Sequence, residues 1–427
     1  MIKEDKMTLP CKRKFIRPFM PLIFIPLIFG CQWGLMTSEQ EDAFEDDGGP
    51  DIAQDAVEAP DARDAVDLGD DGAQDPRPDG IIEEDVPIGP DADILEGEPI
   101  PCTEGELTCT AGGAERCEGG TWVDIGPCPL GCSESSDNCY IPSNIAADLI
   151  DPSAGNLDLG SGDADIYINT ETGEITGSSA NVLRPAGAYD AATGTSFAVV
   201  TQGSGAPDIG VLSVGEFTLP AGTTLHGQGG NALAIAASGG MIIDGVIDLC
   251  AGGQNAGAGG GAGGNAEAAG AGNCPGSPGS GTGTNHTSGG GGGGLGGAGG
   301  KGGDEDSTTP PIAGGAGGGP CGTPELSPLI GGSGGGGGGL AVGYAASAPG
   351  AGGGGGGAIQ LVSAISITFG AGGGIHAGGA GGGGANVAGG GGAGAGGGVL
   401  IEAPDVNIAS GAIIAANGGG GGAGDCT

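Results

Sequence analysis

Three stretches of the chain repeat one order of apolar and polar positions. They are ALAIAASGGMIIDGVIDLCAGG from Ala232, AIQLVSAISITFGAGGGIHAGG from Ala358 and GVLIEAPDVNIASGAIIAANGG from Gly398. Each opens with two alternating apolar residues: Leu233 and Ile235, Ile359 and Leu361, Val399 and Ile401. A break follows, then a second pair: Ile242 with Val246 or Ile247, Ile365 with Ile367, Val406 with Ile408. Every unit then runs into small residues and glycine. A spacing of two, carried by Ile, Val and Thr, predicts strands and not helices. One unit alone cannot bury its apolar face. The repetition therefore predicts stacked coils, each strand pairing with its counterpart in the next coil.

The residues before the repeat are also β-like. ADIYINTETGEITG alternates Ile166 and Ile168 against polar neighbours, turns at Glu171-Thr172-Gly173 and resumes at Glu174, which predicts a hairpin. SFAVVTQ and DIGVLSVGEFTLPAGTTLHGQGG add strands broken by glycine. The segment FTLPAGTTLHGQGGNALAIAASGGMIIDGVIDL resembles coils of pectate-lyase-like proteins. That resemblance implies a right-handed parallel β-helix.

Glycine changes the picture. Long runs, roughly 252–357, 378–397 and 418–425, leave the repeat at the same point of each unit. Structureless loops of that length are uncommon in compact domains. Polyglycine has no Cβ, so extended chains can approach closely and exchange backbone hydrogen bonds, as collagen-type chains do. Strict Gly-X-Y is absent, which excludes collagen itself. The expected fold is mostly β: a right-handed parallel β-helix-like solenoid with glycine-rich excursions packed on one side. A disordered acidic tether and a small disulfide-rich module precede it.

The expected domain order is 1–30, 31–101, 102–140, 141–229 and 230–427. In the first segment Lys12, Arg13, Lys14 and Arg17 precede an apolar run from Phe19 to Phe29. That run is about half the roughly twenty residues needed to span a bilayer, and it reads as a secretory signal. LIFGC, ending at Cys31, resembles the lipobox of bacterial lipoproteins. The resemblance implies cleavage before Cys31, lipid on its sulfur, acylation of the new N-terminus and stable anchoring in a lipid bilayer. Gln32 after the cysteine resembles an outer-membrane sorting signal. Residues 32–101 are rich in Asp, Ala, Pro and Gly with few aromatics, so they cannot bury enough surface to fold and predict an extended stalk. Residues 102–140 carry six cysteines and read as a disulfide-held module, 141–229 as a β-rich lead-in or cap, and 230–427 as the solenoid. The module resembles short C…W…C..GC units of extracellular myxobacterial proteins.

Charge and cysteine content narrow the function. Net charge is −41, and beyond Cys31 only Arg63, Arg77, Arg116, Arg184 and Lys301 are basic. Such a field repels nucleic acid, which is excluded as a partner. With Cys31 lipidated, Cys102, Cys109, Cys117, Cys128, Cys132, Cys139, Cys250, Cys274, Cys321 and Cys426 form an even set, the mark of disulfides in an exported chain. A Cys274–Cys321 bond would close the long first excursion, leaving Cys250 and Cys426 as a pair by elimination.

Candidate chemistry is sparse. GGAGGKGG around Lys301 imitates a phosphate loop, but Gly302 stands where Ser or Thr is needed. Asp304, Glu305 and Asp306 offer at most a loose divalent-cation site. Asp244 and Asp248 form a carboxylate pair if both lie in one strand, or flank a turn. Arg184 and Lys301 are the main domain's only candidate lyase bases. His226, His286 and His376 read as exposed turn residues, and His226 and His376 meet only if coil stacking aligns them. No pattern calls for a cofactor. The chain resembles glycine-rich lipoproteins of myxobacterial type. The expectation is a non-enzymatic outer-membrane lipoprotein, lipid-anchored and surface-exposed, with a structural, adhesive or matrix role and glycan or matrix contacts. The alternative is a β-helix protein that binds or cleaves polysaccharide.

Overall fold

The computed structural model describes residues 102–424, except 111–112, 127, 132–139, 161, 204, 283–285 and 344–346. Cys31, the acidic stretch and Cys132, Cys139 and Cys426 lie outside the described residues. The architecture is mostly β, with parallel and mixed sheets, and no α-helix occurs among the described residues.

Three sheets carry the main body. The first holds Ile209–Val214, Ala232–Ala237, Ala358–Ser363 and Gly398–Glu402 as parallel neighbours. The second stacks Leu157–Asp158, Phe217–Leu219, Met241–Ile243, Ser366–Phe369 and Asp405–Ile408, all parallel. The third stacks Asp165–Asn169, Thr224–Gln228, Val246–Asp248, Gly374–His376 and Ile413–Ala415 in the same way. The chain visits the three sheets in turn and then begins again. Residues 209–228, read from sequence as part of the lead-in, supply one strand to each sheet.

Register places like on like. Leu212, Ile235, Leu361 and Ile401 form one inward row of the first sheet. Phe217, Met241, Ile367 and Val406 form one in the second, and Ile166, Leu225, Ile247, Ile375 and Ile414 one in the third. Most of these side chains share one core. Each buried Leu, Ile or Phe contributes about 1.5–3 kcal/mol, so the rows carry the stability of the stacked strands.

The first sheet is covered on both faces. Outward-facing Ile209, Val211, Ala232, Ala234, Ala236, Ala358 and Val362 pack with Leu130, Ile145, Ile150 and Leu329 in a second core. Alanine is favoured there because the covering chain lies close. At the start of the stack the sheets turn antiparallel. Asp165–Asn169 pairs with Ile175–Gly177 as the predicted hairpin, with Gly173 at φ 72° in its turn. Thr195–Val200 pairs antiparallel with Ile209–Val214. The buried Arg184 holds this region by donating to the carbonyls of Gly173, Pro185 and Gly187 and to the Thr195 hydroxyl.

The glycine excursions, at 250–357, 377–397 and 416–424, follow the third sheet's strands, and they bond to one another. Segment 331–339 lies at their centre. Its amides at Gly332, Gly335 and Gly338 donate to the carbonyls of Gly356, Gly353 and Gly350. Those of Gly334 and Gly337 donate to Ala271 and Ala268, and those of Gly336 and Gly339 to Gly291 and Ser288. The carbonyls are used as regularly. Gly332, Gly335 and Gly338 accept from Gly261, Gly264 and Glu267; Gly334 and Gly337 accept from Gly276 and Gly279. Ser333, Gly336 and Gly339 accept from Ala395, Gly392 and Gly389. All these N···O distances are 2.8–3.1 Å.

Partners thus repeat every third residue, the period of polyproline II chains. Three residues per turn, each with one donor and one acceptor, point in six directions, and six neighbouring chains occupy them. The packing is hexagonal. A Cβ at Gly335 would come closer than 3.0 Å to backbone atoms of Gly392, which is why this position is glycine.

The cysteine-rich segment forms a separate antiparallel sheet of Leu107–Thr110, Gly113–Glu118 and Thr121–Gly126. Cys102 and Cys117 are bonded there. Cys274 and Cys321 are bonded in the first excursion, as expected. Cys128 takes part in a disulfide, and so does Cys250.

Candidate functional site

The third sheet brings separated polar residues into one outward row. Inward Leu225 and Ile247 leave His226 and Asp248 pointing out, because side chains alternate along a strand. Register then aligns Tyr167, His226, Asp248, His376 and Ala415 across five strands. More than a hundred residues separate Asp248 from His376 in sequence, and the whole first excursion lies between them.

His226 is the centre of the row. Its Nε2 lies 3.1 Å from Asp165 Oδ1 and its Nδ1 lies 3.3 Å from Asp248 Oδ2. The Tyr167 ring stacks on it at 5.0 Å between centroids, with 20° between planes. The His226 side chain is only 17% exposed, so it is no exposed turn residue. Burial is the largest single influence and disfavours its charged form. The hydrogen bonds and charges of Asp248 and Asp165 together outweigh burial and raise its pKa above the ordinary value. For Asp248, burial again acts first and works against the charge. The His226 hydrogen bond, the Cys250 amide and the charges of His226 and His376 overcome it and lower the pKa. Both ring nitrogens of His226 are therefore committed. The group links three successive strands of the sheet, and when the ring is protonated both nitrogens donate to carboxylates.

Asp244 and Asp248 do not form a pair. Asp248 ends a strand of the third sheet, whereas Asp244 lies in the turn between Met241–Ile243 and Val246–Asp248. Arg184 spends its donors on carbonyls and the Thr195 hydroxyl, and burial lowers its pKa against the opposing charge of Asp190.

The acidic run in the first excursion diverges. Asp304 contacts Lys301 Nζ at 2.6 Å and accepts from the Gly314 amide. Glu305 accepts from the Ser307 amide and hydroxyl and faces His286 Nδ1 at 3.6 Å. Among the described residues no group of three or more His, Cys, Asp or Glu is arranged to hold a metal ion.

Sequence reading missed Asp165 and Tyr167 as members of the row. Their signal was present, since both flank the inward Ile166 in DIYIN. Comparison with protein-family models, curated proteins and solved structures gave no match.

Proposed function

We propose that the protein is a non-enzymatic cell-envelope lipoprotein whose stacked sheets form a right-handed parallel β-helix, displayed on a lipid-anchored stalk for a structural or adhesive role. The observation that carries this reading is the central segment 331–339, bonded through its backbone on all six sides. Its one functional side chain, the buried Ser333 hydroxyl, accepts from the Cys274 amide. His226 supports the same reading, because both of its nitrogens hold neighbouring strands together.

The anchor rests on Cys31 and the basic and apolar residues before it. Protease treatment of intact cells tests display: loss of the 141–427 region while a periplasmic control survives is expected. Protection of that region removes the adhesive reading. Cys31→Ala is expected to release the protein from membranes, and unchanged retention removes the anchor.

A further inference from the structure

Among the described residues, one glycine chain beside the centre lacks a neighbour. Segment 389–397 follows the same three-residue order as 331–339. Its amides at Gly389, Gly392 and Ala395 donate to Gly339, Gly336 and Ser333, and those at Gly391, Gly394 and Gly397 donate to Gly383, Ala380 and Ala377. Its carbonyls at Gly389, Gly392 and Ala395 accept from Gly350, Gly353 and Gly356. Gly391 and Gly394 accept from Gly422 and Gly419, and Gly390 and Ala393 accept from Gly290 and Gly293. Five directions are filled. The sixth belongs to the amides of Gly390, Ala393 and Gly396, which have no hydrogen-bond acceptor among the described residues. Gly390 is buried, and buried amides left unpaired are rare.

The five neighbours form a continuous arc. Segment 288–294 bonds to 331–339, which bonds to 350–357, then to 377–383, then to 416–422. The arc opens only between 288–294 and 416–422. A groove of about 650 Å³ lies at that opening, lined by Gly292, Gly293, Ala393, Gly396, Gly418 and Gly419 among others.

We propose that this groove docks an extended glycine-rich peptide of another molecule, bound as the missing chain of the bundle, with its carbonyls accepting from the groove-lining Ala393 and Gly396. The donors recur every third residue, about 9 Å apart in a polyproline II chain, and a second such chain offers carbonyls at the same interval. Filled positions of the bundle show the composition required, since Gly335 and Gly392 pack too closely for a Cβ. The outer side of the groove is open and accepts larger residues. This chain's own long glycine runs already occupy other positions, and residues 1–101 contain no run longer than Gly48-Gly49. The mode is the polyproline II counterpart of strand addition at a sheet edge.

Backbone amide NMR of the full chain, titrated with a peptide of four Gly-Gly-Ser repeats, tests the proposal. The expected result is saturating shifts centred on Ala393 and Gly396. Ala393→Pro removes one of the two groove donors, keeps a polyproline II backbone and breaks no bond within the bundle. It is expected to weaken peptide binding at least tenfold while leaving the remaining spectrum unchanged. Absence of shifts at millimolar peptide overturns the proposal, as does equal binding by a folded proline variant. A cello-oligosaccharide that shifts these amides when the peptide does not also overturns it and makes the groove a glycan site.

Discussion

Ser143 and Glu402 meet across 259 positions of sequence, the serine hydroxyl and amide both donating to the glutamate carboxylate. Glu402 also accepts from Gln360 Nε2 in the adjacent strand of the first sheet. The lead-in is thereby fastened to Gly398–Glu402, at the far side of the sheet from Thr195–Val200. Nearby, Asn144 donates to the Leu326 carbonyl. Glu402→Gln and Ser143→Ala are each expected to cost about 1 kcal/mol. In a double-mutant cycle by chemical denaturation their effects should fall short of additive.

His226 gives stability a pH window. Its raised pKa supplies stability fully present below the ordinary value of 6.5 and lost as pH rises through the folded-state value. Asp248 is lowered, so its contribution is present above 3.8 and lost as pH falls through its folded-state value. The two are complete together between about pH 4 and 6.5. Thermal melts should show stability falling as pH rises above that window, and His226→Gln should flatten the fall. An unchanged slope in the variant would remove this role.

Alanine substitution should separate inner from outer glycines. Gly335→Ala places a Cβ against Gly392 and is expected to cost more than about 1 kcal/mol and to raise amide exchange in 350–357 and 389–397. Gly303 has open space around its Cβ direction and an ordinary φ. Gly303→Ala is expected to be neutral or to stabilise by about 0.4–1 kcal/mol through the unfolded chain.

The Cys274–Cys321 bond closes a separation of 47 residues. The chain-entropy relation gives such a crosslink about 4 kcal/mol. A Cys274→Ser, Cys321→Ser variant should lose amide protection in 274–321 first and keep it in Ala232–Ala237. Uniform loss in both regions would show that the excursion and the sheets unfold as one.

The sequence made the stacked strands legible because Leu233, Ile235, Ile359 and Leu361 alternate cleanly and point into one core. Phase was less legible after the first break. Ile242 and Ile365, read as members of the second apolar pair, are 49% and 59% exposed. Met241 with Ile243, and Ile367 with Phe369, point inward instead, because a short turn resets the alternation between sheets. Close packing of the glycine runs followed from their lack of Cβ. The identity of neighbouring chains did not, since polyglycine has no side chain to distinguish one register from another. The His226 row was hidden for another reason. Only the ladder registers bring Tyr167 and Asp248 beside His226, and His376 beside Asp248.

The central segment 331–339 also fixes how the two halves respond to temperature. Unfolding the sheets exposes Leu, Ile and Phe to water and raises heat capacity; unfolding the glycine bundle exposes chiefly peptide groups, which lower it. Cooling therefore weakens the sheets' apolar cohesion while leaving the bundle's hydrogen bonds largely intact. The sheets are therefore expected to lose stability on cooling before the glycine bundle does.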